Sequence, residues 1–130
     1  MTTAELLQQL EPLTHSERVQ RMIALGRQQN DESRAIFAEM ERGGFSERFL
    51  ALYACFGSRD SAHAARALSD PSRTIRGLAI RLVAQLCDES QLAEVLTTVP
   101  AQAMRRLLWK LTRQHQASVD AYLERLAERG

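Results

Sequence analysis

The side chains of this chain best suited to chemistry are cations beside aromatic rings. Arg81, Arg106, Lys110 and Arg113 lie in the second half of the sequence, and Phe49 and Tyr53 precede them. Guanidinium and ammonium groups bind carboxylates and phosphates, and aromatic rings make rigid anchors. These residue types suit capture of a protein or peptide, an acidic one above all. A phosphate backbone stacked on rings is the alternative. Nothing comparable points to bond-breaking chemistry. His15, His63 and His115 are far apart, none is followed by glutamate, and each reads as a surface histidine. Cys55 and Cys87 form no Cys-x-x-Cys pair and have no histidine at metal-ligand spacing. They read as small buried hydrophobes in a reducing compartment. No GxSxG, paired-carboxylate or phosphate-loop motif occurs, and Gly43-Gly44 reads as a turn. No catalytic, metal-binding or cofactor-binding residue is assigned, and a noncatalytic role is expected.

Charge is distributed unevenly. The 130 residues carry a net charge of +1. Residues 1–44 hold 5 basic and 7 acidic side chains, whereas residues 72–113 hold 7 basic and 3 acidic. Lys110 is the only lysine; every other cation is arginine. Bulk charge does not mark a nucleic-acid binder, and only the second half has a local positive excess. The first residues lack a basic stretch leading into an apolar run, and no segment approaches the roughly 20 apolar residues that span a bilayer. A cytoplasmic protein with no membrane partner is expected. The chain is 45% hydrophobic and 5% aromatic with three prolines, a composition that suits helices better than sheets.

The elements that must position these groups recur about every 28 residues. Leu68–Asp88 lies over Met40–Asp60 after a shift of 28, placing Arg76 on Arg48, Leu78 on Leu50 and Ala79 on Ala51. A forward shift of 29 places Ile75 on Met104, Arg76 on Arg105 and Ile80 on Trp109. A period of this size marks a solenoid of helical hairpins. Thr2–Glu5 and Thr14–Glu17 read as capping boxes, Asn30-Asp31 as a stop and a cap, and Gly57 as a helix end. Asp70-Pro71 reads as an N-cap followed by a first-turn proline. Ile75, Leu78, Leu82 and Leu107 should be buried, with Trp109 beside them in the core between repeats.

Four repeats result, at about 3–30, 31–58, 59–87 and 88–115, with a terminal helix at 117–129. A single all-α domain over 1–130 is expected, as the N-terminal part of a longer array. The lone last helix, with Tyr122 and Leu126 on one side, is a place for self-association. On this alignment the second helices stack Arg21, Phe49, Gly77 and Arg106 in one column. Leu25, Tyr53, Arg81 and Lys110 form the next, and Gln28, Phe56, Ala84 and Arg113 a third. The partner-binding row on the concave face is therefore expected at Phe49, Tyr53, Arg81, Arg106, Lys110 and Arg113. Packing of Phe49 and Phe56 between repeats, with the cations as solvated surface, is the competing expectation.

Leu68, Asp70-Pro71, Ile75-Arg76 and Leu78-Ala79-Ile80 resemble the short form of the HEAT repeat found in bilin-lyase-like proteins. The pattern weakens at 96–112, and Gln20 stands where the first repeat should have its arginine. The resemblance implies a right-handed α–α superhelix and a scaffold that binds protein. It also implies that Asp70 and Arg76 bond between repeats in a structural role, with Arg48 and Arg105 as counterparts. A nucleic-acid-binding module and a bilin-lyase-like enzyme are the alternatives the family allows.

Overall fold

The computed structural model describes residues 1–129. Among them are nine α-helices, one 3-10 turn and no strand. The chain divides into two compact units, Met1–Asp60 and Ser61 onward.

The first unit holds α1 (Thr3–Leu10), α2 (His15–Gln28), α3 (Asp31–Glu41) and α4 (Phe45–Ser58). Helix α1 packs on α3, α2 on both α3 and α4, and α3 on α4. Stacked helical hairpins produce this order. Local sequence sets the boundaries. The Thr14 hydroxyl accepts from the Glu17 N–H at 3.2 Å, and the Thr14 N–H donates to the Glu17 carboxylate at 2.9 Å. These bonds hold the Glu17 carboxyl below its usual range. At Thr2 the hydroxyl accepts from the Glu5 N–H, and Asn30 caps α3 through the Ser33 N–H at 2.8 Å. Leu6, Leu10, Met22, Ile36, Met40 and Leu50 form the core beneath.

Gly57 does not end α4 but sits inside it. A Cβ there would overlap the Ile23 carbonyl oxygen, and one on Gly26 would overlap the carbonyl oxygen of Ala54. The two glycines let the backbones of α2 and α4 meet, and the helix runs on until Arg59. Arg59 and Gln29 cap their helices in the left-handed region, at φ of 57° and 48°.

The second unit holds α5 (Ser61–Arg66), the 3-10 turn Ala67–Ser69, α6 (Arg73–Leu86), α7 (Glu89–Thr98), α8 (Ala101–Gln114) and α9 (Gln116–Arg129). Helix α5 packs on α6, α6 on α8, and α9 on both α7 and α8. Ile75, Leu78, Leu82 and Leu107 are all buried, as the apolar stripe predicts. Asp70 does not cap α6. Its carboxylate accepts from the Ser72 N–H at 2.8 Å, and Ser72 is the N-cap, accepting from the Ile75 N–H. The turn thus takes one residue more than an Asp-Pro start would. Asp88 and Gln91 form a reciprocal capping box on α7.

Helices α2, α4, α6 and α8 are 14 residues each and start at His15, Phe45, Arg73 and Ala101. Their steps are therefore 30, 28 and 28, not 28, 28 and 29. This register corrects four expectations. Arg18, not Gln20, is the first-repeat counterpart of Arg48 and Arg76, since all three hold the fourth position of their helices. Each bonds carbonyls of the turn before its own helix: Arg18 those of Leu10 and Glu11, Arg48 that of Gly43, Arg76 those of Asp70 and Pro71. The clamp found for Arg76 is thus local to its turn. In α8 that position is Met104, so Arg105 is not part of the series and stands exposed. Trp109 falls under Arg81 instead of Ile80, and it is 70% exposed.

Candidate interaction surface

In the first unit, helical spacing aligns Phe45, Phe49 and Tyr53 along one side of α4, with Phe56 a turn further. Successive ring centroids are 5.5, 5.1 and 6.1 Å apart. His15, at the start of α2, lies 6.0 Å from the Phe49 ring and 5.9 Å from the Tyr53 ring. Contacts at these distances and mixed tilts are favourable ring–ring geometry. Phe49, Tyr53 and Phe56 are half-buried, and Phe45 is exposed. The ladder is thus partly covered by its own members and keeps ring edge open to solvent.

In the second unit, Arg106, Lys110 and Arg113 are spaced by four and three residues and share one face of α8. Helix α6 supplies Arg81; it, Arg106 and Arg113 are exposed, and Lys110 is half-buried. Arg106 crosses the bare backbone of Gly77: a Cβ there would lie 2.7 Å from Arg106 Nη2. Its Nη1 also donates a long bond of 3.5 Å to the Arg73 carbonyl. At the other end His115 Nε2 lies 2.6 Å from the Ala84 carbonyl oxygen. A carbonyl only accepts, so this nitrogen carries the proton. These two contacts fix α6 and α8 as parallel neighbours and bring Lys110 to the level of Arg81. The guanidinium of Arg113 stands 5.9 Å from the Trp109 ring centroid, a cation–π contact. Residues 95–119 contain no Asp or Glu, so nothing on α8 itself neutralises its four cations.

Beside this face, and sharing Arg106 with it, runs a shallow groove of about 490 Å³ between α8 and α9, lined also by Arg105, Leu108, Trp109, Val119 and Leu123. Leu123 is 49% and Leu126 45% exposed. The structure places the residues of the expected row in two sets, rings in the first unit and cations in the second. Spacing alone did not reveal Trp109, Arg105 and Leu123 as surface residues. Counting from the start of α8 after Pro100 does reveal Arg105 and Trp109.

The other titratable candidates sit differently. Cys55 and Cys87 are buried and in no disulfide, and burial, then the Asp88 charge, pushes the Cys87 thiol up to about 11. At neutral pH that group is protonated and a poor nucleophile. His63 is not a surface residue: it is 6% exposed, because α5 turns it and Ala64 inward. His115 is half-buried by its bond to α6, and His15 alone of the three is exposed. Among the described residues no group of three His, Cys, Asp or Glu is placed to hold a metal. No helix among them is long and apolar enough to cross a membrane.

Comparison with protein-family models, with curated proteins and with solved structures finds no match.

Proposed function

We propose that this chain is a noncatalytic helical-repeat scaffold of the short HEAT type, and that it binds an acidic protein segment along α6 and α8. The observation that carries this reading is the α8 face: Arg106, Lys110 and Arg113 in one row, on a helix without a single acid, with Arg81 level with them on the parallel helix. Maintaining like charges side by side costs free energy unless an anion joins them. In a solenoid the second helices of the hairpins line the concave side, where an extended or helical partner is gripped. On this reading α2 and α4 are those helices in the first unit, and α6 and α8 in the second. The cations supply the attraction, and the exposed Trp109 on the same helix supplies an anchor.

The test is a binding titration with a glutamate-rich peptide carrying one leucine or phenylalanine, with generic duplex DNA of equal charge alongside. Wild type should bind the peptide, more weakly as salt rises. The folded variant Arg81→Glu/Arg106→Glu/Lys110→Glu/Arg113→Glu should lose at least about tenfold in affinity, or roughly 1.4 kcal/mol. Equal affinity of the two proteins at every salt concentration would show that the row is solvated surface. Preference for DNA, with a steep salt slope, would favour the nucleic-acid alternative.

A further inference from the structure

The surface made by α8 and α9 has three parallel strips of different chemistry. Its centre is apolar: the groove with Leu108, Val119 and Leu123 in its lining, and Leu126 one turn along α9. One edge, along α8, is basic. Arg105 and Arg113 stand one turn before and one turn after Trp109 in a single row, all three exposed. The other edge is acidic. Asp120, Glu124 and Glu128 follow one another at four-residue spacing on α9, all exposed, on the flank of Leu123 away from α8. The basic residue Arg125 is turned elsewhere, into a hollow shared with Glu89 and Ala93 of α7.

A surface that is positive on one edge, apolar in the middle and negative on the other is complementary to itself. A two-fold axis through the apolar strip lays the acidic edge of one copy on the basic edge of the other, twice over. It also sets Leu108 and Leu123 of one copy against those of its partner and covers each Trp109 with the partner's α9. We propose that the chain self-associates through α8 and α9 into an isologous dimer of this kind. An external acidic helix answers only half of the surface, since it would leave Asp120, Glu124 and Glu128 facing like charge; a second copy answers all three strips.

The size of the patch sets the strength. Two 14-residue helices are each about 21 Å long and lie about 8–10 Å apart. Their joint face covers on the order of 400 Å² per chain, below the range of stable complexes. The dimer is therefore weak and reversible, held by the exposed indole and by complementary edges.

Sedimentation equilibrium of the intact chain over a range of concentrations tests this. Wild type should pass from the one-chain mass to the two-chain mass as concentration rises. Three variants, each checked for native helicity by circular dichroism, sharpen the result. Trp109→Ser should weaken the dimer at least about tenfold, the effect of losing roughly 1.4 kcal/mol. Glu124→Lys/Glu128→Lys, with both edges basic, should stay at the one-chain mass, and so should Arg105→Glu/Arg113→Glu, with both edges acidic. An equimolar mixture of these two should associate again, because every edge then meets its opposite. A one-chain mass for wild type at all concentrations overturns the proposal. So does a mixture that stays monomeric while wild type dimerises, since that places the contact elsewhere. The readout uses no other partner, so it stands or falls apart from the proposed binding of an acidic segment.

Discussion

At the scale of single residues, the tightest requirement is for two glycines. In an ordinary helix interior, Gly→Ala stabilises by about 1 kcal/mol. At Gly57 the added methyl would overlap the Ile23 carbonyl oxygen and come within 2.9 Å of the Arg27 nitrogen, all backbone. Gly57→Ala should therefore cost about 1–3 kcal/mol by forcing α2 and α4 apart, measurable by urea unfolding. The sequence marks this glycine as punctuation, because local signals do not say which backbone lies opposite. Leu82 was legible: it is fully buried, and Leu82→Ala should cost roughly 2–5 kcal/mol. Cys87 gives a pH dependence. The fold favours its neutral thiol, with a value near 11 against an ordinary 9.0. That contribution is complete below 9.0 and is lost as pH rises through about 11. Wild type should therefore lose stability over this interval relative to Cys87→Ala. Its labelling by a disulfide-exchange reagent should lag behind that of the unfolded chain below it.

At the scale of elements, three arginines fasten helix starts to the turns before them. Arg18, Arg48 and Arg76 occupy the same helical position and donate to turn carbonyls. Hydrogen bonds from charged groups contribute about 1.5–3 kcal/mol. Arg76→Gln should lower stability by an amount of that order, while Arg105→Gln should change it by less than about 0.5 kcal/mol. Equal effects at the two positions, read from urea midpoints, would mean that the register of α8 is wrong. Helix existence was legible almost throughout, since the Thr14 and Asp88 caps and the apolar stripe of α6 are local signals. The register of the last repeat was not. Shifting α8 by one residue rotates every side chain by about 100°, which moved Trp109 from the core into solvent. A turn that lengthens by a residue leaves no mark in hydrophobic period alone, because Arg105 and Arg106 satisfy either alignment.

For the molecule as a whole, the all-α class and the sequential order of helix packing were legible. Apolar period dictates helices and their order, and the sequential packing within each unit follows. How an array curves depends on small rotations between repeats, which composition does not encode. The residues proposed to bind a partner stand out in the sequence as types, because residues 95–119 hold cations and no acid. The aromatic and cationic parts of the expected row are set in separate units, as the repeat columns did not foresee. Helix α9 is the element on which the second unit's edge depends: it packs on α7 and α8 and buries Val119. Removal of residues 116–130 should uncover apolar surface on both helices. The truncated chain should lose at least about 2 kcal/mol in thermal or urea unfolding and should show no concentration-dependent mass.

The chain has one tryptophan, and it points into water. The intrinsic emission of the native protein should accordingly resemble that of a free indole. Unfolding, which leaves that indole in water, should barely move it. A core-probe assay applied to this protein would record almost no transition while ellipticity collapses. The same property makes Trp109 a background-free reporter of anything that covers α8: a blue shift of its emission signals occupancy of that face, with no label attached.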